Sequence, residues 1–286
     1  MKRPNPLPPN QMTSAERRTE LCRLLALVCL GVGTAQAEVA TRLPETAEQG
    51  AMIIGRVAPD ATVRYAGRAL RVTEYGTVVF GIARDARGPA AVTITHPDGR
   101  VEQARIAIRR HDWPTQRVNG VPQNTVTPPP AVAKRIAREQ AEVAAVRQSS
   151  SDALGFAQHF IRPAPGRVSG HFGEQRIYNG TPGSAHSGMD IAAGAGTPVV
   201  APAAGRVVFA EPDLYLTGGT VLVDHGHGIG SNFLHLSRID VAVGDTIEQG
   251  QRLGAVGASG RATGPHLHWG MTWYDVRIDP EQVLAR

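Results

Sequence analysis

The chain has 286 residues, of which 42% are hydrophobic, and its 30 basic and 25 acidic residues give a formal charge of +5 at pH 7. This length exceeds one ordinary domain and the apolar fraction is ample for a core, so we expect two folded modules. No basic helix stands out and only 5% of residues are aromatic, which excludes a nucleic-acid-binding module.

Residues 1–37 have the pattern of a signal peptide. Five basic side chains precede an apolar run at residues 24–32, and Ala35-Gln36-Ala37 is a typical cleavage site. The run is too short for a stable membrane span, although an uncleaved anchor stays an alternative. Both cysteines fall inside this segment, so a mature chain has no disulfide framework, and its formal charge falls from +5 to +2. The predicted location is the periplasm.

After a short linker at residues 38–49, the sequence predicts a small β-sandwich over residues 50–113. Short stretches rich in β-branched residues alternate with turn signals such as Pro59-Asp60 and Asp98-Gly99. An antiparallel sandwich is the expected arrangement. We find no catalytic set of residues in it.

A proline-bearing linker over residues 114–130 and a connecting helix over 131–150 follow. The linker ends in three consecutive prolines and is predicted to be a stiff spacer. The helix has good helix formers and an apolar stripe that can pack on a neighbouring element. We therefore expect the N-terminal module to be held in a set position, where it limits or guides substrate access to a groove of the C-terminal module. The alternative is that it is a plain spacer or a partner that stabilises the fold.

Glycine, proline and valine recur every few residues in the C-terminal module, residues 155–286, which predicts short strands and tight turns. Seven of the ten histidines lie between residues 171 and 268, and such clustering indicates a site. His266 and His268 are two apart on a predicted strand and so emerge on the same face. Two further histidines, His225 and His227, are predicted to lie in a hairpin turn.

His186 and Asp190 form the second half of the predicted site. Four residues of straight strand span roughly 13 Å, which is long for two ligands of one ion, but Gly188 can supply a bend. His186, Asp190 and His268 offer nitrogen and oxygen donors of the kind that a catalytic zinc takes, with a fourth position left for water. There is no HExxH motif, so another group must handle the proton.

Over residues 163–283 the sequence resembles the M23, LytM or lysostaphin-like, zinc metallopeptidases. The resemblance rests on an ordered series of motifs, among them Phe172-Gly173, His186-Ser187-Gly188-Met189-Asp190, Gly196-Thr197-Pro198-Val199, Asp224-His225-Gly226 and Gly260–Trp269. It implies that His186, Asp190 and His268 hold Zn²⁺ and that His235 and His266 are catalytic residues that do not bind the metal. Phe233 departs from the tyrosine common in the family and removes one hydroxyl group.

His171, Arg176 and Asn179 are candidate substrate-binding residues, because they are polar and lie in a glycine-bearing loop close to His186. A structural role for these three is the alternative. The sequence also leaves open which of His235 and His266 is the general base.

The resulting hypothesis is a mainly β periplasmic zinc endopeptidase acting on peptidoglycan peptides, with the D-alanyl–meso-diaminopimelate cross-link as the expected bond. A peptidase for glycine-rich bridges or secreted proteins is the alternative among enzymes. From another class, a catalytically inactive M23-like activator of a cell-wall amidase is the alternative, but such relatives lack ligands and this chain keeps all five site residues. A regulatory partner is possible, and the sequence leaves its identity open.

Overall fold

The structure is a computed structural model and describes residues 40–286. The predicted signal peptide, residues 1–37, lies outside the described residues. Within the described part of the chain, no helix has both the length and the apolar character that a membrane span requires.

The N-terminal module is built from two sheets that share one core. A five-stranded sheet has the order β1-β7-β6-β3-β4, and β2 and β5 form a separate two-stranded sheet. β1 and β7 are parallel, whereas the other pairs are antiparallel. Alternating residues such as Val63, Val92 and Ile94 are fully buried, as expected for strands with one face on a core. The strands are β1 (Thr46–Glu48), β2 (Met52–Arg56), β3 (Thr62–Tyr65), β4 (Arg68–Leu70), β5 (Thr77–Gly81), β6 (Ala90–Thr95) and β7 (Val101–Arg109).

The connector is more structured than the predicted spacer. Its elements are β8 (Thr115–Val118), α1 (Gln123–Val126) and α2 (Pro130–Val146). β8 pairs in parallel with β10 (Gln175–Tyr178) of the C-terminal module, so the first half of the predicted linker is a strand of that module's sheet. α2 begins with Pro130 in its first turn, where a missing N–H is tolerated, and ends four residues before the predicted boundary.

The C-terminal module is dominated by a ten-stranded sheet whose central path is β17-β14-β15-β16-β19-β12-β9, and this confirms the mainly β fold. A three-stranded sheet, β11-β10-β8, stands beside it. The remaining strands are β9 (Arg167–Gly170), β11 (Thr181–Ala185), β12 (Met189–Ala192), β13 (Pro198–Val200), β14 (Gly205–Leu214), β15 (Gly218–Gly226), β16 (Ile229–Ile239), β17 (Thr246–Ile247), β18 (Arg252–Val256), β19 (His266–Trp273) and β20 (Val276–Ile278), with a 3₁₀ helix at Gly155–Ala157 and α3 at Pro280–Leu284.

One apolar core runs through both modules. The rings of Tyr65 and Phe80 lie 5.7 and 6.3 Å from the ring of Trp273. Gly81 permits this approach, because a Cβ at that position would come within 3.0 Å of Trp273 and 3.1 Å of Ile278. The N-terminal module is therefore a packing partner of the strands that carry the C-terminal site.

Candidate metal centre

The metal centre lies on one face of the ten-stranded sheet, where β12 and β19 run side by side. Asp190 on β12 is paired directly with His268 on β19, so their side chains start from neighbouring positions. His186 follows the end of β11, and the chain bends at Gly188 before entering β12. A strand entered from a loop with a bend at Gly188 was the predicted arrangement, and the structure contains it.

Three donor atoms converge at this point. Nε2 of His186 lies 3.0 Å from Oδ1 of Asp190 and 3.0 Å from Nδ1 of His268, and the last two atoms are 2.9 Å apart. For bonds of about 2.0–2.1 Å, ligand atoms at the corners of a tetrahedron are separated by roughly 3.3 Å. All three side chains are buried. Two imidazole nitrogens and one carboxylate oxygen at this spacing fit a zinc ion.

Neighbouring groups orient two of these ligands. The carbonyl oxygen of His171 lies 2.8 Å from Nδ1 of His186, and because a carbonyl only accepts, Nδ1 carries the proton and Nε2 is left for a metal. Nη2 of Arg176 donates to Oδ2 of Asp190 at 2.8 Å, so Oδ1 is the oxygen that faces the histidines. Both contacts are buried or partly buried.

The electrostatic environment keeps the ligands in the states that bind metal. Burial alone would raise the pKa of Asp190, but hydrogen bonds and charge interactions with His186 and His268 hold it well below its ordinary value. Burial also lowers the pKa of His268 to about 4. At neutral pH the site therefore contains an ionised carboxylate beside a neutral His268, as metal binding requires.

His235 and His266 lie beside the three donors. Their rings are 4.7 Å apart, and Nε2 of His266 is 4.0 Å from Oδ1 of Asp190. Each Nδ1 donates to a backbone carbonyl, that of Ser259 at 2.8 Å and that of Gly264 at 2.9 Å, which leaves each Nε2 with a lone pair. Burial lowers the pKa of His235 to about 3, so this imidazole is neutral at physiological pH.

The backbone at His235 is strained. Its φ of +64° lies in the left-handed region, which a residue with a Cβ rarely occupies. Such strain persists where surrounding contacts fix it, and here the backbone N–H of His235 donates to the carbonyl of Thr217 at 2.8 Å. The conformation directs the side chain towards His266.

The three predicted substrate-binding residues have different environments. Arg176 lines the groove, but its guanidinium group is bonded to Asp190. The side chain of His171 is exposed and pairs with Glu281 at 2.8 Å. Asn179 holds the connector through Nδ2, which donates to the carbonyl of Val121 at 2.9 Å. The contacts of all three are structural, and substrate binding by them stays a prediction.

The predicted turn histidines are apart from the metal centre. His227 lies in the turn between β15 and β16, two residues before β16 begins, with φ of +53°. The prediction that His225 lies in the turn is wrong, because His225 is the last but one residue of β15. It is fully buried, with its two ring nitrogens 2.8 Å from the carbonyl of Ala204 and from Oγ of Ser231. Neither belongs to the cluster of three metal-binding side chains found among the described residues.

A groove surrounds the site, and the sequence did not reveal one of its walls. β8 supplies Gln116 and Val118, and α2 supplies Gln140. The guanidinium carbon of Arg261 lies 4.2 Å from the ring centroid of Tyr178, which joins two of the loops that line the groove. The groove is lined by Arg84, Gln116, Val118, Val121, Gln140, Arg167, Ser169, Phe172, Arg176, Tyr178, Ser184, Ala185, Ser187, Ala192, Leu216, Thr217, Leu234, residues 261–265 and Arg277, together with the five histidine and aspartate residues.

Comparison with known proteins defines the class of this protein. The profile of peptidase family M23 matches residues 184–280. A crystal structure from Pseudomonas aeruginosa described as a peptidase M23 is 33% identical, covers 82% of this chain and 94% of its own, and has a TM-score of 0.65. The chain belongs to peptidase family M23, and the resemblance found in the sequence is confirmed.

Two curated relatives are similar over part of their length. Peptidoglycan DD-endopeptidase ShyA of Vibrio cholerae is 40% identical over 104 residues, which is 36% of this chain and 24% of the relative. Cell division protein DipM of Caulobacter vibrioides is 32% identical over 167 residues, 56% of this chain and 26% of the relative. The chain therefore spans about a quarter of the length of the curated relatives that it matches.

Proposed function

We propose that this protein is a zinc-dependent endopeptidase that hydrolyses peptide cross-links of peptidoglycan. The observation that carries the proposal is the convergence of His186, Asp190 and His268 on one point in an open groove, beside two histidines with free nitrogens. Three protein ligands leave a coordination position open, which is typical of catalytic rather than structural zinc sites.

The substrate class is supported by the relatives. ShyA is named a peptidoglycan DD-endopeptidase, as is ShyC, a second Vibrio cholerae relative that is 35% identical over 118 residues. By this analogy the bond is the cross-link between D-alanine and meso-diaminopimelate. A glycine-rich bridge or a secreted protein is the alternative substrate, and the products distinguish between them.

The ligand residues set the charge of the site. A zinc ion held by His186, Asp190 and His268 would lower the pKa of a coordinated water and polarise the scissile carbonyl. Arg176 keeps Oδ2 of Asp190 engaged, so that a single carboxylate oxygen faces the ion. The carbonyl of His171 fixes the ring of His186 in the tautomer that ligation needs.

His235 and His266 divide the proton transfer and the stabilisation of negative charge. A neutral imidazole with a free Nε2 accepts a proton from the attacking water, and once protonated at both nitrogens it donates a hydrogen bond to the oxyanion. His235 is the more buried of the two and is neutral, whereas His266 lies nearer to Asp190. Either residue suits either role, so the assignment of the base is left to experiment.

The non-enzymatic alternative is an amidase activator that has lost its site. This chain keeps the three ligands and both assisting histidines, and their hydrogen bonds are those that a working site needs. We therefore favour the enzyme. A periplasmic location is part of the proposal, since residues 1–37 have a signal-peptide pattern and the relatives named above are peptidoglycan enzymes.

Digestion of purified sacculi tests the proposed reaction. The expected result is conversion of cross-linked dimeric muropeptides to monomers, with new amines and no new reducing sugar ends. Mass spectrometry identifies the released muropeptides. New reducing ends without new amines would indicate a glycosidase and refute the proposal.

Two kinds of variant provide the controls. His186→Ala, Asp190→Ala and His268→Ala should each lose most of the zinc found by elemental analysis, together with the activity. Full zinc content in all three variants would contradict the ligand assignment. His225→Ala is the matched histidine substitution outside the site, and it should keep its zinc.

A further inference from the structure

A second polar region lies on the same face of the sheet as the metal centre, further along β19. Side chains two residues apart on a strand share a face, so Thr272 lies on the face of His268, roughly 13 Å along the strand. Arg277 on β20 is paired directly with Thr272 and lines the groove that contains the metal centre. Arg147, the residue that follows the last residue of α2, lines a small pocket together with Thr272 and Asn232. Two arginines from different elements thus approach one stretch of the sheet.

Both guanidinium groups contain a nitrogen that is buried without a partner. Nε of Arg147 and Nη1 of Arg277 have no hydrogen-bond acceptor within residues 40–286. The one carboxylate that lines the small pocket beside Arg147 is that of Asp224. It already accepts hydrogen bonds from the backbone N–H groups of Ser151 at 3.0 Å and Gly226 at 2.8 Å. The acceptors that these arginines need are therefore not supplied by this part of the chain.

The charges of the two arginines are only partly compensated. Burial, together with the charge of Arg277, lowers the pKa of Arg147 to about 9. Asp275 acts favourably on Arg277, but its carboxylate pairs with Arg68 at 3.5 Å. The C-terminal end of α2 favours a cation at Arg147, whereas Arg277 lies on a strand and has no such help. A buried cation without a partner is costly, so an anion at this place would stabilise the arrangement.

We propose that Arg147 and Arg277 form a carboxylate-binding subsite at the Arg277 end of the groove, and that it receives a free carboxylate of the peptide substrate. Guanidinium groups match the planar, two-oxygen geometry of a carboxylate. Asn232 and Thr272, which line the small pocket beside Arg147, are buried polar residues next to this subsite.

The position of the subsite limits which carboxylate it can receive. Thr272 lies roughly 13 Å along the strand from His268, and an arginine side chain shortens that separation. A bound carboxylate would thus lie on the order of two residues from the bond that is cleaved. Diaminopimelate, with two carboxyl groups, is a substrate residue of the right chemistry. The inference rests on the proposed function and names the substrate feature that the same groove would recognise.

The test compares two cross-linked peptide substrates that differ only in whether the carboxylates near the cleaved bond are free or amidated. The full-length zinc-loaded protein should cleave the free acid with a kcat/KM about tenfold or more above that of the amide, the scale of one charge-assisted hydrogen bond. Arg277→Gln and Arg147→Gln should lower kcat/KM for the acid towards the value for the amide, and should change kcat/KM for the amide by a clearly smaller factor. Arg277→Lys should fall between them, because it keeps the charge without the planar fork.

Arg238→Gln is the matched control, since Arg238 is exposed and pairs with Asp240 at 2.6 Å. This substitution should change kcat/KM for neither the acid nor the amide substrate. Equal effects of Arg277→Gln on acid and amide would overturn the subsite. Binding of the intact acid and amide peptides, measured by calorimetry on a zinc-loaded His235→Ala variant, gives a readout that does not need turnover. If the acid peptide binds more tightly than the amide and this difference depends on the arginines, the subsite is supported even when no cleavage is seen. That combination of results would refute the proposed function and not the subsite.

Free anions are the other source of the same chemistry. Sodium acetate and sodium phosphate, titrated separately, should raise the melting temperature of the wild type more than that of Arg277→Gln if the pocket accepts an anion. Stabilisation by these salts without discrimination between acid and amide peptides would overturn the substrate assignment, because the pocket would then hold a free ion. If Arg277→Gln does not fold, Arg147→Gln and Arg277→Lys decide the outcome.

Discussion

Replacing Arg176 by methionine should destabilise the metal-free protein, because it leaves one oxygen of a buried carboxylate without its partner. Nη2 of Arg176 lies 2.8 Å from Oδ2 of Asp190, and both side chains are about one tenth exposed or less. Removing one member of a buried ion pair costs about 3–5 kcal/mol. We expect the lower end, about 3 kcal/mol, since His186 and His268 still contact Oδ1 of Asp190. For a chain of this size that is a fall in Tm of roughly 6–12 °C.

Zinc should reduce the difference in Tm between Arg176→Met and the wild type. Once a cation faces Asp190, part of the missing positive charge is replaced, so zinc should raise the Tm of Arg176→Met by more than it raises that of the wild type. The assay is thermal unfolding of chelator-treated protein with and without added zinc. Arg238→Met, which breaks an exposed ion pair, is the matched control and should leave the melting temperature close to that of the wild type.

Gly170→Ala provides a second perturbation of the same contact without removing a charge. A Cβ at Gly170 would come 2.5 Å from Nη2 of Arg176 and 2.7 Å from Oδ2 of Asp190. The two groups would have to separate, so this variant should resemble Arg176→Met. A metal-free Arg176→Met protein that unfolds within about 0.5 kcal/mol of the wild type, an ordinary surface effect, would refute the reasoning.

Three further predictions concern catalysis, the core and pH. His235→Ala and His266→Ala should each keep near-normal zinc by elemental analysis while turnover falls by about 10² or more; loss of zinc would mean that the residue is a ligand. Phe80→Ala should cost about 3–5 kcal/mol in denaturant unfolding, because its ring packs in the shared core. The hydrogen bond to Glu281 raises the pKa of His171, so the pair stabilises the fold below pH 6.5 and that contribution is lost as pH rises through the raised value. His171→Gln should therefore reduce stability at pH 5.5 and not at pH 8.5 in urea unfolding, by roughly 0.5 kcal/mol at most for so exposed a pair.

The candidate metal ligands could be identified from the sequence because the pattern that places them together is local. His266 and His268 share a face through the alternation of one strand, and a glycine between His186 and Asp190 allows the bend that brings these two together. The strand-rich stretch at residues 50–113 could be predicted for the same reason, because β-branched alternation and glycine turns act over short distances, and β2 to β7 lie within that range.

Contacts between distant segments could not be predicted in this way. The sequence predicts a spacer for the linker because prolines dominate its second half, yet Gln116 and its neighbours pair with β10, about 60 residues later. The sequence predicts either a substrate contact or a structural role for Arg176, and it does not identify the partner Asp190, which lies 14 residues further on. Parallel strand pairing and buried ion pairs form only when distant segments meet in the assembled sheet. The residue pattern within one segment therefore does not predict them.

The position of the connector changes how the role of the N-terminal module should be judged. A chain beginning near Ser151 would lose β8 and α2, and with them groove residues Gln116 and Gln140 and the proposed anion-binding Arg147. It would also uncover Trp273, which packs against aromatic rings of the first module. Because truncation alters the groove wall and the core together, it cannot separate guidance of the substrate from simple support of the fold. Point substitutions on the groove side of the connector, made at exposed polar positions, leave the core intact and so isolate its effect on substrate access.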